Sequence, residues 1–300
     1  SIDVKPINDT PVIENDPNIQ IPENSTFVVE LDVSDVDSTV ISYSINGIDS
    51  DELSLVDTEI FLKTPADFES KQAYAFTASA SDGQDTAQKD FLVQVTNLND
   101  NAPLISSKHF SIEENTLLIG NVDAQDADGD SLIYGVRDTE LFSINSIGEI
   151  SFKAPGDYEE SDYFEVLVTV SDGVYESVAL DTIGLINLND NPPIFNETSQ
   201  INLDEGTRFV KKLNVSDLDG SDLEFTLDSP LFQIVNAEDL YFVDESDYEL
   251  QPEYSVTITA SDGHFSTSHQ MTILLNNIND NAPVITATDF IIGEYTKYIG

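Results

Sequence analysis

The stretch NLNDNAP at residues 97–103 places three asparagines and an aspartate in five positions and then stops at proline. It returns as NLNDNPP at 187–193 and NINDNAP at 277–283, with a reduced copy, INDTP, at 7–11. Asn and Asp side chains compete for the backbone hydrogen bonds that build helices and sheets, so such a run belongs to an irregular linker. Its aspartate falls at Asp9, Asp100, Asp190 and Asp280, at intervals of 91, 90 and 90 residues. A fixed period of this length marks an array of equivalent units.

Other acidic marks keep step with it. A glutamate follows each linker aspartate by 14 or 15 residues (Glu23, Glu114, Glu205 and Glu294). An Asp-x-Asp lies 12 residues beyond the first three of these: Asp35 and Asp37, Asp126 and Asp128, Asp217 and Asp219. Then come DFE at 67–69 and DYE at 157–159 and 247–249, followed by SDG with Asp82, Asp172 and Asp262. Between the marks, apolar residues alternate with period two, as in Tyr74, Phe76, Ala78, Ala80 and in Val166, Val168, Val170. Short alternating runs punctuated by Asp, Gly and Pro predict antiparallel sheets with one buried face. About seven runs per unit suit a Greek-key sandwich. The expected fold is all-β: tandem seven-stranded Greek-key β-sandwiches in a linear array. The predicted divisions are 1–9 (the end of a preceding unit), 10–100, 101–190, 191–280, and 281–300. The last lines up FIIGEYTKYIG at 290–300 with FSIEENTLLIG at 110–120 and so opens a fourth unit. The chain therefore reads as a segment of a longer protein.

The charge balance narrows the chemistry. Eleven Lys and Arg face 57 Asp and Glu, a formal net charge of −46, which repels nucleic acid and anionic membranes and attracts cations. With no cysteine, neither disulfides nor thiolate zinc sites are available. The DYE pair could supply an acid and a base, but no nucleophile or oxyanion donor repeats beside it, so an enzyme is not expected. His109, His264 and His269 occupy unrelated positions in the period. Carboxylates and Asn carbonyls at fixed spacing instead suit a hard cation, and calcium best, because it takes six to eight oxygens in irregular geometry. DADGD at 126–130 starts like an EF-hand, but its Gly is fourth and its twelfth residue is Arg137.

In their order, these motifs resemble cadherin repeats, and the resemblance spans essentially the whole chain. It implies about three Ca²⁺ at each complete junction between units. The first junction would draw on Glu23, Asp67 and Glu69, on Asn97, Asn99, Asp100 and Asn101 of the linker, and on Asp126, Asp128 and Asp172 of the following unit. The second would draw on Glu114, Asp157, Glu159, Asn187, Asn189, Asp190, Asn191, Asp217, Asp219 and Asp262. Leu98 and Leu188 would ligate through their carbonyls. Linkers in the family open with Asp, whereas Asn97 and Asn187 stand here, which removes one charge from each site. The leading half-junction (Asn8, Asp9, Asp35, Asp37, Asp82, with Thr10 in place of Asn) and the trailing one (Glu205, Asp247, Glu249, Asn277, Asn279, Asp280, Asn281) are expected to be empty or partial. Units of this length without Cys or Trp are similar to bacterial cadherin-like repeats, while four N-x-S/T sequons leave a eukaryotic source open.

Carboxylates about 7 Å apart repel by roughly 2 kcal/mol at an effective dielectric near 20, so seven in one junction need divalent cations to stay together. The implied function is a calcium-rigidified extracellular segment of a large cell-surface adhesion protein. Its implied partners are a second copy, another surface protein or a surface polysaccharide, with no nucleic acid and no membrane contact. The alternative is a calcium-dependent carbohydrate-binding module, with Tyr134, Tyr175 and Tyr241 as the sugar platform in a chain without Trp.

Overall fold

The structure is a computed structural model that describes residues 7–284. The strand expected at 290–300, with Glu294, lies outside the described residues. The chain divides into two compact units: one runs to Gly156 and includes Tyr163–Leu185, and the other comprises Asp157–Asp162 and the residues from Ile186 onward.

The first copy of the repeat builds nine short strands: β1 (Val12–Ile13), β2 (Asn18–Pro22), β3 (Phe27–Glu30), β4 (Val33–Ser34), β5 (Ser42–Asn46), β6 (Leu53–Val56), β7 (Glu59–Leu62), β8 (Ala73–Ser81) and β9 (Thr86–Thr96). They form a four-stranded sheet in the order β2-β9-β8-β5, a three-stranded sheet β3-β7-β6 and a pair β1-β4. The same three-part order recurs over 104–186 and again over 194–276. Seven runs become nine strands because the first and second are each interrupted, at 14–17 and at 31–32. Among the described residues there is no α-helix, only a 3₁₀ turn at Ser50–Glu52, and no helix long and apolar enough to cross a membrane.

One pairing departs from the antiparallel expectation. Strand β2 runs parallel to β9, from Asn18 opposite Leu92 to Pro22 opposite Thr96. Gln200–Asp204 runs parallel to Ser266–Asn276 in the same way. The break before β2 allows this, because the chain leaves the β1-β4 pair and enters the large sheet beside its last strand. Pro17, which has no N–H to offer a ladder, sits in that break. Asn15 holds it, donating to the Glu30 carbonyl at 2.8 Å and accepting from Asp32 N–H at 2.7 Å. The other copies secure the same break differently. In the second, Asp181 accepts the Lys108 N–H at 2.7 Å. In the third, Glu197 accepts from the Asn214 N–H and the Lys211 ammonium.

The alternating residues face inward as expected. Tyr74, Phe76, Ala78 and Ala80 are buried, as are Val166, Val168, Val170 and Val256, Ile258, Ala260. Phe76 stacks on Phe91 at 5.1 Å between ring centroids. At the position of Phe91 in the last strand, the third copy carries buried Met271 and the second carries Asp181, only 1% exposed.

Candidate metal centre

Each repeat places a buried glutamate just after its second strand: Glu23, Glu114 and Glu205 are 3%, 2% and 6% exposed. Glu23 accepts the Leu98 N–H at 2.6 Å with Oε1 and the Phe68 N–H at 3.0 Å with Oε2. Glu205 repeats the pattern with Ile278 N–H at 2.5 Å and Tyr248 N–H at 2.7 Å. The carboxylate therefore ties the linker to the Asp-aromatic-Glu turn before any ligand is considered. The next residue turns the chain through a left-handed conformation, at Asn24 (φ 65°), Asn115 (φ 61°) and Gly206 (φ 76°), residue types that tolerate it. Replacing Glu23 by Ala leaves two backbone donors without their acceptor, at roughly 1–3 kcal/mol per buried group. The unfolding midpoint of Glu23→Ala should fall in chelator as well as in calcium; loss only in calcium would limit Glu23 to a ligand's role.

Asp67 caps the acidic turn, accepting the Ser70 N–H at 2.9 Å and the Ser70 hydroxyl at 2.8 Å. Asp157 does the same for Glu159 N–H at 3.0 Å and Glu160 N–H at 3.2 Å. This leaves Glu69 facing the linker. Oxygens of Glu23, Glu69, Asp100 and Asp128 lie within 4.8 Å of one another, and the first three line a hollow of about 390 Å³ with Asp67, Asn24 and Asn101. Burial pushes the Glu69 carboxyl up, and the charges of Glu23, Asp128 and Asp67 add to the rise.

Asp128 organises the linker. Its Oδ2 accepts the N–H groups of Asp100 at 3.0 Å and Asn101 at 2.9 Å, and its Oδ1 accepts the Asn101 amide at 2.9 Å. Burial alone would raise its carboxyl, but these donors hold it below the usual carboxylate range. The Asn101 amide also reaches Asp100 Oδ1 at 2.9 Å and Glu69 Oε2 at 3.4 Å. A neutral amide thus stands among three carboxylates, and none of the three forms an ion pair among the described residues.

The second linker repeats this arrangement. Asn191 N–H donates to Asp219 Oδ2 at 2.8 Å, and its amide reaches Asp219 Oδ1 at 2.9 Å, Asp190 Oδ1 at 2.8 Å and Glu159 Oε2 at 3.2 Å. Oxygens of Glu159, Asp190 and Asp219 lie within 4.8 Å of one another.

The asparagines that open the linkers have a role that an aspartate could not fill. The Asn97 amide donates to the Asp128 carbonyl at 2.7 Å, and the Asn187 amide donates to the Asp219 carbonyl at 3.3 Å. Their expected part as carbonyl ligands is left to Oδ1.

The fit to a hard cation rests on buried oxygens that nothing else satisfies. In the first junction Asn99 Oδ1, Asp126 Oδ2 and Asp172 Oδ2 are buried without a hydrogen-bond partner. In the second, the equivalent Asn189 Oδ1, Asp217 Oδ2 and Asp262 Oδ2 are in the same state. The other oxygens of these aspartates are aimed by their own turns. Asp172 Oδ1 accepts Val174 and Tyr175 N–H, both at 2.7 Å, and Asp126 Oδ1 accepts Asp130 N–H at 3.1 Å. Buried polar atoms are rarely left unpaired. Six such oxygens at equivalent positions, all from carboxylates or Asn carbonyls, are the donor set calcium takes.

The leading half-junction brings Asp35, Asp37 and Asp82 within 4.8 Å but closes differently. The Asn8 amide covers Asp82 Oδ2 at 2.8 Å, and Gln84 donates to Asn8 Oδ1 at 2.9 Å. Of the three equivalent oxygens, only Asp35 Oδ2 remains buried and unpartnered. In the trailing half, the Asn277 amide turns back to Glu249 at 2.8 Å.

Two residues of the first site escaped the sequence pattern. Asp130 joins Asp126 and Asp128 within 4.8 Å, and the Asn24 amide donates to Asp100 Oδ2. The Asp at the end of DADGD was a signal for the first; Asn24 carried none beyond its place next to Glu23. The tyrosines considered as a sugar platform do not make one: Tyr134 and Tyr241 are half-buried, Tyr241 against Phe209 at 5.1 Å, and Tyr175 alone is exposed.

Residues 99–181 match the family model described as Bacterial Ig domain. Mouse Protocadherin Fat 4 is 29% identical over 308 residues, covering 89% of this chain and 6% of that protein. Human Protocadherin gamma-A2 is 30% identical over 267 residues, covering 77% of this chain and 28% of that protein. The chain thus spans a small part of the curated relatives it matches. Among solved structures, the protocadherin gammaB7 EC3-6 cis-dimer aligns at a TM-score of 0.72 with 20% identity, covering 94% of this chain and 77% of that one. Mouse cadherin-23 EC22-24 aligns at 0.71 with 18% identity, covering 91% of this chain and 100% of that one.

Proposed function

Because this chain is an array of tandem cadherin-like domains from an extracellular segment, we propose that it is a calcium-rigidified part of a cell-surface adhesion protein. The observation that carries the reading is the repeated trio of buried, unpartnered oxygens: Asn99, Asp126 and Asp172 at the first junction, Asn189, Asp217 and Asp262 at the second. Their chemistry and their recurrence on the same positions of the repeat support calcium over a solvated acidic surface. Glu23, Glu69, Asp100 and Asp128 would complete the first set with Asp67, and Leu98 through its carbonyl. Asp157, Glu159, Asp190, Asp219 and Leu188 would complete the second.

Bound calcium would supply the positive charge that clustered carboxylates lack. The chain's own residues do the rest: the buried glutamate fixes the linker to the unit before it, and Asp128 fixes the same linker to the unit after it. Filling the first site would hold the first two domains together, and its loss would release them. The role is mechanical and adhesive rather than catalytic, and the protocadherin cis-dimer among the structural neighbours supports association with a second copy.

Calorimetric titration is expected to count about six ions per chain, with affinities of about 10⁻⁴–10⁻³ M, typical of extracellular modules. The leading half-junction, already closed by Asn8 and Gln84, adds none in this range. Small-angle scattering should show a more extended, less variable particle in calcium than in chelator. Identical curves in both would overturn the proposal.

A further inference from the structure

The three copies share one scaffold, but the outer face of the second is different. On its four-stranded sheet Ile133, Leu167, Val178 and Leu180 are 64%, 42%, 45% and 43% exposed. Leu167 lies directly opposite Leu180 with Val178 two residues along the same strand, so these three are contiguous, while Ile133 stands at the edge opposite Ser171. The same register positions hold Ser42, Thr77, Gln88 and Asp90 in the first copy. In the third they hold Glu224, Thr257, Ser268 and Gln270. The face is polar in two copies and apolar in one. Isolated exposed leucines are ordinary, but a contiguous apolar set on a sheet marks an interaction surface.

Its border says what kind of partner fits. Leu167 and Leu180 floor a hollow of about 510 Å³ whose rim carries Asp138, Glu140 and Glu165. Among the described residues that line it the one cation is Arg137, taken by Glu176 at 3.0 Å, while Lys153 beside it donates to the Thr139 carbonyl. Among the described residues, no ion pair engages the three rim carboxylates. A second copy, with 57 acidic residues to 11 basic ones, would bring like charge to this rim. We propose that the outer sheet face of the second domain docks a different protein, one presenting apolar side chains bordered by Lys or Arg. Burial of the leucines would supply affinity, and the rim would supply orientation and a salt-dependent association rate.

The test is a methyl NMR titration of the chain in calcium with two amphipathic probe peptides, one of Leu and Lys and one of Leu and Glu. The Lys peptide is expected to shift the methyl signals of Ile133, Leu167, Val178 and Leu180 saturably, and added salt should weaken it at least tenfold. The Glu peptide should leave them in place. Leu167→Thr, Val178→Gln and Leu180→Asp together copy the first domain's surface onto the second and should abolish the shift of the reporter that remains, Ile133. Should that variant unfold, Leu180→Asp alone should weaken binding at least fivefold. Shifts spread evenly over all three domains, or unchanged in the variants, would overturn the proposal. So would a concentration-dependent dimer in sedimentation that Leu180→Asp abolishes, since the occupant would then be a second copy.

Discussion

Asp128→Ala is expected to lower the calcium bound per chain from about six ions to about three, the largest change any single substitution should make. Asp128 accepts two linker N–H groups and the Asn101 amide, and it shares the cluster with Glu23, Glu69 and Asp100. Glu23 holds the same linker through the Leu98 N–H alone, whereas Asp128 takes three of its donors. Hydrogen bonds to a charged acceptor are worth about 1.5–3 kcal/mol each, so the variant should also lose stability without calcium. For a domain of this size each kcal/mol lowers the midpoint by about 4–8 °C. In calcium the deficit should widen, because the wild type gains binding energy that the variant cannot. Asp219→Ala, with Asn191 in the place of Asn101, should do the same at the second site. An unchanged ion count in either variant would remove the metal centre from these residues.

Asp181→Asn should stabilise the chain at neutral pH and leave it unchanged in acid. Asp181 is buried in the second copy of the repeat, where the other copies bury Phe91 and Met271. Its Oδ1 accepts the Lys108 N–H, and its Oδ2 is buried without a partner. Burial pushes its carboxyl above the ordinary range, and the Lys108 N–H and ammonium only partly oppose this. A carboxyl that holds its proton more tightly in the folded chain than in the unfolded one stabilises the fold in acid. That contribution is complete below the unfolded value near pH 4 and is lost as pH rises through the folded value.

The asparagine cannot ionise, so wild type and variant should unfold together at about pH 4 and separate above it, by about 1.4 kcal/mol for each unit of elevation. The difference between the two proteins isolates this residue from the chain's many other carboxylates. Asp181→Met, which installs the third copy's residue, should also stabilise at neutral pH by removing the unpaired oxygen. A difference between Asp181→Asn and wild type that stays constant from pH 4 to 8 would show that Asp181 does not titrate abnormally.

Much of the fold was legible because alternation records burial directly. The period of Tyr74, Phe76, Ala78 and Ala80 points them inward, and all are buried. The parallel pairing of β2 with β9 was not legible, because alternation says which face a residue takes and nothing about its neighbour's direction. That direction follows from the break at 14–17, whose lock differs in each copy: Asn15, Asp181 or Glu197. Asp181 itself broke the pattern of its strand, and periodicity alone could not tell a buried carboxylate from a misplaced surface one.

The candidate site divides along the same line. Its acidic members could be read because each recurs at a fixed interval, and only a shared site keeps charges in step through successive units. The sequence by itself determined the repeat, the sheet class, and which carboxylates and asparagines belong together. The tertiary structure alone decided what each oxygen is free to do. Residues distant in the chain compete for the same lone pairs, so the Leu98 and Phe68 N–H groups claim Glu23, and Gln84 claims Asn8. Only packing leaves Asn99, Asp126 and Asp172 each with a buried oxygen to spare.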